Sequence, residues 1–167
     1  MKSYLVFDIE NNSSGKYGRN AGNPLYDEIV AIGLKNHEEC KAQYIYPTIL
    51  TTFHIDEDLL VGHNLAHDLG FLWQLESVQN FFERGGQIWD TALVEYILTG
   101  QQHKYPALRE IAVNKYGCKE REKLMEKYWD LGLKTSDIQK ELVLEDVTND
   151  VLDTEQIFLR QYKEVEQ

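Results

Sequence analysis

Apolar and polar residues along the chain are spaced in a way that predicts strands first and alternating helices and strands later. Short apolar runs bounded by turn residues predict strands at residues 4–9, 28–34, 41–46, 59–62 and 87–89. Apolar positions three and four residues apart predict helices at residues 66–82, 90–98, 106–116, 120–129 and 147–162. We therefore expect an α/β protein with a mixed sheet, in which three antiparallel strands lead, alternating helices and short strands follow, and helices flank the sheet.

Residues that favour turns and helix ends mark the boundaries of these elements. The stretch 11–24 is rich in Asn, Ser and Gly and predicts a loop. Asp90 or Thr91 is suited to cap the helix that begins there. Pro106 stands in the first turn of the next predicted helix, and Gly117 stands where that helix should stop.

The composition bounds the class of protein. With 167 residues, 43% of them hydrophobic, the chain is long enough for one domain with a proper core, residues 1–167. No apolar run approaches the roughly 20 residues that cross a bilayer, and Asp8 and Glu10 interrupt the first apolar stretch, so it does not read as a signal peptide. Cys40 and Cys118 match neither a disulfide framework nor a zinc pattern. We expect a cytoplasmic protein with two reduced thiols.

The charge is unevenly distributed. The formal net charge of −11 argues against a broad electrostatic surface for nucleic acid. The segment from Lys104 to Lys127, however, holds seven basic and four acidic residues, a local charge of +3 against −14 for the remaining residues. This segment could contact a phosphate backbone or could be a solvated helix pair of mixed charge.

Two carboxylates share one face of the first predicted strand. Side chains alternate along a strand, so Asp8 and Glu10 point to the same side, about 7 Å apart. Burying either without a partner would cost several kcal/mol. A divalent cation such as Mg²⁺ or Mn²⁺ would compensate the charge, because these ions prefer carboxylate oxygens and water. The alternative is a solvated strand end with a basic side chain nearby.

Two further acids lie beside apolar positions of predicted helices. Asp68 falls in the first turn of a helix, where the helix dipole favours an anion. Asp150 stands three residues after Val147 and four before Thr154, on the apolar side of the last helix. Four acids from three distant segments predict a pocket that holds two metal ions about 3.5–4 Å apart, as used for displacement at a phosphate.

Three segments that carry these acids resemble a known set of motifs: FDIE, GHNLAHDLGFL and DVTNDVLDTEQIF. They are similar to the exonuclease motifs of the DEDD superfamily, 3′–5′ exonucleases with a ribonuclease H-like fold. The resemblance is closest to the proofreading domains of phage-type family A DNA polymerases. It extends over most of the chain through NPLYDEIVAIG, IWDTALVEYILTGQ, YPALREIAVNKYG and KYWDLGLKTSDI.

The resemblance implies site residues. The metal ligands would be Asp8, Glu10, Asp68 and Asp150. The side chains of Asn11, Asn64 and His67 would lie close to the terminal nucleotide of the substrate. For Asn64 a structural role competes, because Asn readily caps a helix after a strand. Trp89, Asp90 and Thr91 are expected to cap and pack a helix.

The third motif departs from the superfamily pattern, which places a Tyr four residues, or a His five residues, before the last Asp. Here Asp146 and Glu145 stand in those places. One interpretation makes Asp146 the N-cap of the last helix. The other makes Asp146 or Glu145 a substitute that orients the attacking water in a slowed nuclease. A positioned acid–base group is typically worth about 100- to 10,000-fold in rate.

The resemblance implies an enzyme that removes nucleoside 5′-monophosphates from the 3′ end of single-stranded DNA with two Mg²⁺ or Mn²⁺ ions. Asp8, Glu10 and Asp150 would hold one ion; Asp8 would hold the other, with Asp68 acting through its water shell. Three settings remain open: a free-standing nuclease of a bacterial or phage-infected cell, a partner of a separately encoded polymerase, or a fragment of one. An RNA-directed exonuclease and an inactivated exonuclease domain kept for binding are the alternative functions.

Overall fold

The structure, a computed structural model, describes residues 1–12, 22–101 and 106–167. Most of the predicted loop at 11–24, and Lys104 at the start of the basic segment, lie outside these ranges. Within them, no helix is both long and apolar enough to cross a membrane. The strands are β1 (Tyr4–Asn11), β2 (Ile29–Lys35), β3 (Cys40–Tyr44), β4 (Leu59–Gly62) and β5 (Gln87–Asp90).

These strands form one mixed sheet in the order β3-β2-β1-β4-β5. The first three strands pair antiparallel, and β4 and β5 join β1 as a parallel extension. This arrangement confirms the predicted mixed α/β sheet. Because β1 is central, its carboxyl end lies beside the carboxyl end of β4, where the chain turns into the next helix. Such strand ends are where open α/β sheets form their sites.

The helical segments lie on both faces of the sheet. They are α1 (Leu65–Leu72), α2 (Glu76–Glu83), α3 (Thr91–Leu98), α4 (Leu108–Glu110) with a π-helical continuation (Ile111–Lys115), α5 (Glu126–Asp130), a 3₁₀ turn (Thr135–Asp137) and α6 (Lys140–Val165). The single helix expected at 66–82 is wrong: α1 and α2 are separate helices. The helices expected at 106–116 and 120–129 are shorter than predicted.

Alternating side chains of β1 serve two different cores. Leu5, Phe7 and Ile9 are buried in the core under α1 and α2. Tyr4 and Val6 point to the other face, where they pack with Val151 and Phe158 of α6. Asp8 and Glu10 continue this second row, since they have the same parity. The hydrophobic row therefore aligns the two acids with the helix that carries Asp150.

The closing helix begins earlier than the sequence pattern predicted. It starts at Lys140, with Gln139 at the N-cap position, so the expectation that Asp146 caps it is wrong. Val143 is fully buried before the predicted start, and this burial extends the helix by nearly two turns. Asp146 and Asp150 therefore stand one turn apart in the helix interior. The helix dipole does not explain either of them.

A glycine in β2 lets α6 lie directly on the sheet. Gly33 pairs with Asp8 across the strands. A Cβ on Gly33 would stand 2.9 Å from the Val147 carbonyl oxygen and 3.0 Å from a Val151 methyl carbon. The backbone oxygen cannot move without moving the helix. The absence of a side chain at Gly33 thus sets the distance between α6 and the acids of β1.

Gly33→Val is expected to lower the free energy of unfolding by about 1–3 kcal/mol, because overpacking forces the helix off the sheet. Since α6 carries Asp150, the variant should also lose most of any metal-dependent activity. Gly70→Ala is the control: among the described residues its Cβ would meet only Pro24, at 3.2 Å, on an exposed part of α1. Chemical denaturation of both variants checks the expectation. Equal stability of the two would show that α6 is free to shift.

Candidate metal centre and active site

Three carboxylates converge where β1 passes under α6. Oxygen atoms of Asp8, Glu10 and Asp150 all lie within 4.8 Å of one another. Two of these residues come from one face of a strand and the third from the middle of a helix 140 residues later in the chain. The sequence prediction placed these three on one ion, and the structure brings them together.

Asp68 lies behind this cluster and is not part of its closest group among the described residues. It is 3% exposed and stands in the first turn of α1. Its Oδ2 and the Oδ1 of Asp150 are buried and have no hydrogen-bond partner within the described part of the chain. Buried carboxylate oxygens normally have partners. Both oxygens are therefore candidates to bind a group that comes from outside the protein.

The turn that positions Asp68 is held by another carboxylate, which the sequence analysis placed at a helix cap. Asp90 accepts hydrogen bonds from the backbone N–H groups of Asn64 and Leu65, both at 2.9 Å, and of Ala92 at 3.0 Å. One side chain thus caps the starts of α1 and α3. The expectation that Asp90 caps a helix is confirmed. The alternative role for Asn64, that its side chain caps α1, is wrong, because Asn64 makes no side-chain cap bond.

Burial and mutual repulsion make these acids reluctant to ionise together. The pKa of Asp8 is raised well above its ordinary value by burial and by the charges of Asp68 and Asp150. Burial, then Asp150, raises the pKa of Glu10, and burial, then Asp90, raises the pKa of Asp68. Burial, together with Asp146, raises the pKa of Asp150 to about 7. The positive charge of Arg109 lowers the pKa of Glu10 and of Asp150, but burial and the neighbouring acids outweigh it.

These residues fit a divalent metal. The donors are hard oxygens, three of them close enough to share an ion, and two buried oxygens have no hydrogen-bond partner among the described residues. Raised pKa values of clustered carboxyls in a cleft are typical of functional sites. Asp8, Glu10 and Asp150 would bind an ion directly, and buried Asp68 is near enough for its charge to raise the pKa of Asp8.

One residue at the site was not predicted by the sequence analysis. Arg109 of α4 donates from Nη2 to Asp146 Oδ1 at 2.9 Å, and the same nitrogen stands 3.9 Å from Asp150 Oδ1. The Asp146 side chain is 5% exposed. Glu145, the other candidate at this position, is exposed. The sequence indicated Arg109 only as one of the basic residues counted in its segment, because no local pattern predicts its pairing with Asp146.

The expected substrate-contacting residues are not among the three clustered acids, and of them Asn64 lines a separate cavity. The Asn64 backbone is left-handed, with φ of 60°, and its side chain is exposed beside a cavity of about 340 Å³ lined by His63, Ala92 and Pro106. His67 is half-buried against Phe71, and burial lowers its pKa. Asn11 ends β1 and donates to Asp27, a carboxylate that the sequence analysis had not considered.

The described part of the basic segment lines a cleft next to the acid cluster. The cleft, of about 700 Å³, is bordered by basic and acidic side chains of residues 109–130 and by Asp153. Its basic members are Arg109, Lys119, Arg121, Lys123 and Lys127, and its acidic members are Glu110, Glu120, Glu122, Glu126, Asp130 and Asp153. A smaller cavity of about 260 Å³ adjoins Glu10, Asp146 and Asp150. Arg109, Lys123 and Glu126 line both.

Comparison with known proteins identifies the fold but no family. No protein-family model matches the chain, and no curated protein matches it in sequence. Among solved structures, NrnC from Brucella melitensis bound to pGG is similar, with a TM-score of 0.64 and 12% identity over 98% of this chain and 73% of that one.

Two further solved structures give the same result. NrnC from the same organism with bound Mg²⁺ has a TM-score of 0.63 at 12% identity, covering 98% of this chain and 73% of that one. The family B DNA polymerase from the hyperthermophilic archaeon Pyrobaculum calidifontis has a TM-score of 0.59 at 15% identity, covering 96% of this chain and 24% of the polymerase. At such identities the likeness shows the fold alone. The chain has a ribonuclease H-like fold, and its resemblance to the DEDD superfamily, and to phage family A polymerases in particular, stays a prediction.

Proposed function

We propose that the protein is a metal-dependent 3′–5′ exonuclease that removes nucleoside 5′-monophosphates from the 3′ end of single-stranded DNA. The observation that carries this proposal is the meeting of Asp8, Glu10 and Asp150 within 4.8 Å, with buried Asp68 behind them. Such a centre serves no evident purpose in stability, because its charges repel one another. The fold, shared with NrnC and a polymerase, supports the same conclusion.

The chain's own residues would act mainly by binding the metal ions and by fixing the positions of the ligands. Asp8, Glu10 and Asp150 would bind Mg²⁺ or Mn²⁺, with Asp68 interacting through water. When bound, such ions lower the pKa of water and stabilise charge on the leaving oxygen. The rigid sheet fixes Asp8 and Glu10, while Gly33 fixes the approach of α6 and hence of Asp150. Asn11, Asn64 and His67 are proposed to contact the terminal nucleotide.

The cleft of residues 109–130 and Asp153 is proposed to guide the strand upstream of the 3′ end. Its lining mixes basic and acidic side chains, so the basic ones are expected to contact only a few phosphates of a short length of nucleic acid. This arrangement reconciles a chain of net charge −11 with a nucleic-acid substrate. A separately encoded DNA polymerase as partner, and a role in replication or proofreading, remain predictions.

Digestion of matched single-stranded oligonucleotides tests the proposal. DNA labelled at the 5′ end should shorten one nucleotide at a time when Mg²⁺ or Mn²⁺ is present, with nucleoside 5′-monophosphates as products. Chelation with EDTA should stop the reaction. DNA that stays intact in both metals, at protein concentrations above that of the substrate, would contradict the proposal.

A second candidate function is the digestion of short RNA. The similarity to NrnC bound to pGG favours it. The same assay decides between the two when RNA and DNA of one sequence compete in a single reaction. A preference for RNA of tenfold or more, which corresponds to about 1.4 kcal/mol of discrimination, would replace the DNA proposal with this one.

A third candidate is a binding module that has lost catalysis, favoured by the absence of the superfamily's Tyr or His near Asp150. Oligonucleotide binding without hydrolysis in either metal would support this function. Cleavage of either nucleic acid, lost in Asp8→Asn, would exclude it.

A further inference from the structure

The Arg109–Asp146 ion pair stands between the two cavities of the site. Arg109 lines both the cleft of about 700 Å³, whose side chains are of mixed charge, and the cavity of about 260 Å³ next to Glu10 and Asp150. A strand that follows this cleft towards the acid cluster passes the guanidinium. Its Nη2 already lies 3.9 Å from Asp150. Arg109 is thus the basic group nearest to the proposed metal ligands within the described residues.

The backbone that follows Arg109 is held against neighbouring helices. The Arg109 side chain is 25% exposed, and the π-helical segment that follows it is anchored by Lys115, which lies 3.0 Å from buried Glu95. Gln161 of α6 also donates to Glu95, at 3.1 Å. A π-helical turn is rare and is often found at functional sites. The backbone near Arg109 is therefore fixed against α3 and α6.

Asp146 is occupied by structural hydrogen bonds. It accepts from Arg109 Nη2 and also from the backbone of Leu124. A carboxylate engaged in this way is well suited to orient an arginine and poorly suited to orient water. Among the described residues the Arg109 guanidinium makes one hydrogen bond, to Asp146, and it has five N–H donors in all. Donors therefore remain for an anion.

We propose that Arg109 binds a phosphodiester of the substrate strand beside the metal centre, and that Asp146 is the positioning residue that holds its guanidinium. This inference rests on the proposed function and deepens it. It replaces the expectation that Asp146 orients the attacking water. A guanidinium matches the geometry of a phosphate through two parallel hydrogen bonds, which a lysine cannot reproduce.

The test measures binding rather than turnover. A short single-stranded DNA with a 5′ fluorophore is titrated in Mg²⁺ with protein carrying Asp8→Asn, which should not cleave it. Adding Arg109→Met should weaken binding about tenfold or more. The slope of log affinity against log salt should become shallower by about 0.7, the value for one lost phosphate contact on a single strand. Arg109→Lys should restore the slope but only part of the affinity.

Two controls separate this role from a structural one. Lys41→Met removes an ion-paired charge on β3, outside the two site cavities, and should leave affinity and slope unchanged. Calorimetric titration of Arg109→Met with Mg²⁺ alone, in otherwise wild-type protein, should show equal or tighter binding, because a positive charge beside Asp150 is gone. A merely structural role would instead loosen the acid cluster and weaken Mg²⁺ binding.

The role of Asp146 is tested by hydrolysis in a double-mutant cycle. Asp146→Leu should have little additional effect on the rate once Arg109 is Met, because Asp146 acts through Arg109. The double variant also avoids leaving a buried carboxylate unpaired, so it is the one to use if Arg109→Met fails to fold. An equally large effect of Asp146→Leu in both backgrounds would overturn its assignment as a positioning residue.

The remaining outcomes distinguish this inference from the proposed function. Unchanged affinity and slope in Arg109→Met, or weakened Mg²⁺ binding, would overturn the inference alone. A protein with Arg109 intact that binds no oligonucleotide would overturn both.

Discussion

Asp8→Asn is expected to reduce hydrolysis of single-stranded DNA by about a thousandfold or more. Metal ions supply several kcal/mol of transition-state stabilisation, and each 1.4 kcal/mol lost is a factor of ten in rate. The negative charges of Asp68, Asp150 and Glu10 all oppose the ionisation of Asp8. Its replacement should therefore remove the group most closely shared by the proposed ions. Single-turnover digestion in Mg²⁺ and in Mn²⁺ measures the effect.

The same variant should remain folded. Without its metal the protein holds several buried acids in one pocket, so removing one charge relieves repulsion rather than creating it. Asp56→Asn is the matched control, since it makes the same change at an exposed loop position outside the acid cluster and should leave the rate unchanged. A rate for Asp8→Asn within tenfold of the wild type would show that Asp8 is not a metal ligand.

Removing divalent ions is expected to make stability depend strongly on pH. Asp150 has a folded-state pKa of about 7, above the ordinary value of about 3.9 in an unfolded chain. The folded state therefore holds this proton more tightly. The stabilisation that this proton on Asp150 gives to the folded state is fully present below about pH 4 and is lost as pH rises through 7. The raised pKa values of Asp8, Glu10 and Asp68 act in the same direction, and the lowered pKa of His63 acts in the opposite one.

Asp150→Asn isolates the contribution of one group. In EDTA at pH 8 the variant should be more stable than the wild type by on the order of 2–4 kcal/mol, and near pH 4 the two should be nearly equal. Addition of Mg²⁺ at pH 8 should stabilise the wild type and have little effect on the variant. Chemical denaturation at both pH values measures the differences. A stability difference that does not change with pH would show that Asp150 is not forced to ionise against its neighbours.

The acids of the site could be predicted from sequence because each has a local signature. Alternation along a strand places Asp8 and Glu10 on one face, and the apolar spacing of the last helix places Asp150 beside Val147 and Val151. The motif resemblance then supplied the expectation that these segments meet. The expected strands were close to the observed ones for the same reason: strand period and turn residues are properties of neighbouring positions.

The boundaries of α6 could not be predicted in this way. Asp146 has the chemistry of a helix cap, yet buried Val143 carries the helix past it. Tertiary burial overrode a local preference worth about 1 kcal/mol. Arg109 was missed because its partner lies 37 residues away and no periodicity connects them. Asp90 showed its capping role in the sequence, but not that it caps two helices at once.

The sequence by itself determined which side chains point to which face, and so which carboxylates were available to form a site. Tertiary structure alone decided which of them meet: three within 4.8 Å, Asp68 buried behind them, and Arg109 paired with Asp146 at their side. The physical reason is that side-chain direction follows from local backbone geometry. Distances between remote segments instead depend on close packing, here on a bare glycine backbone against which α6 rests.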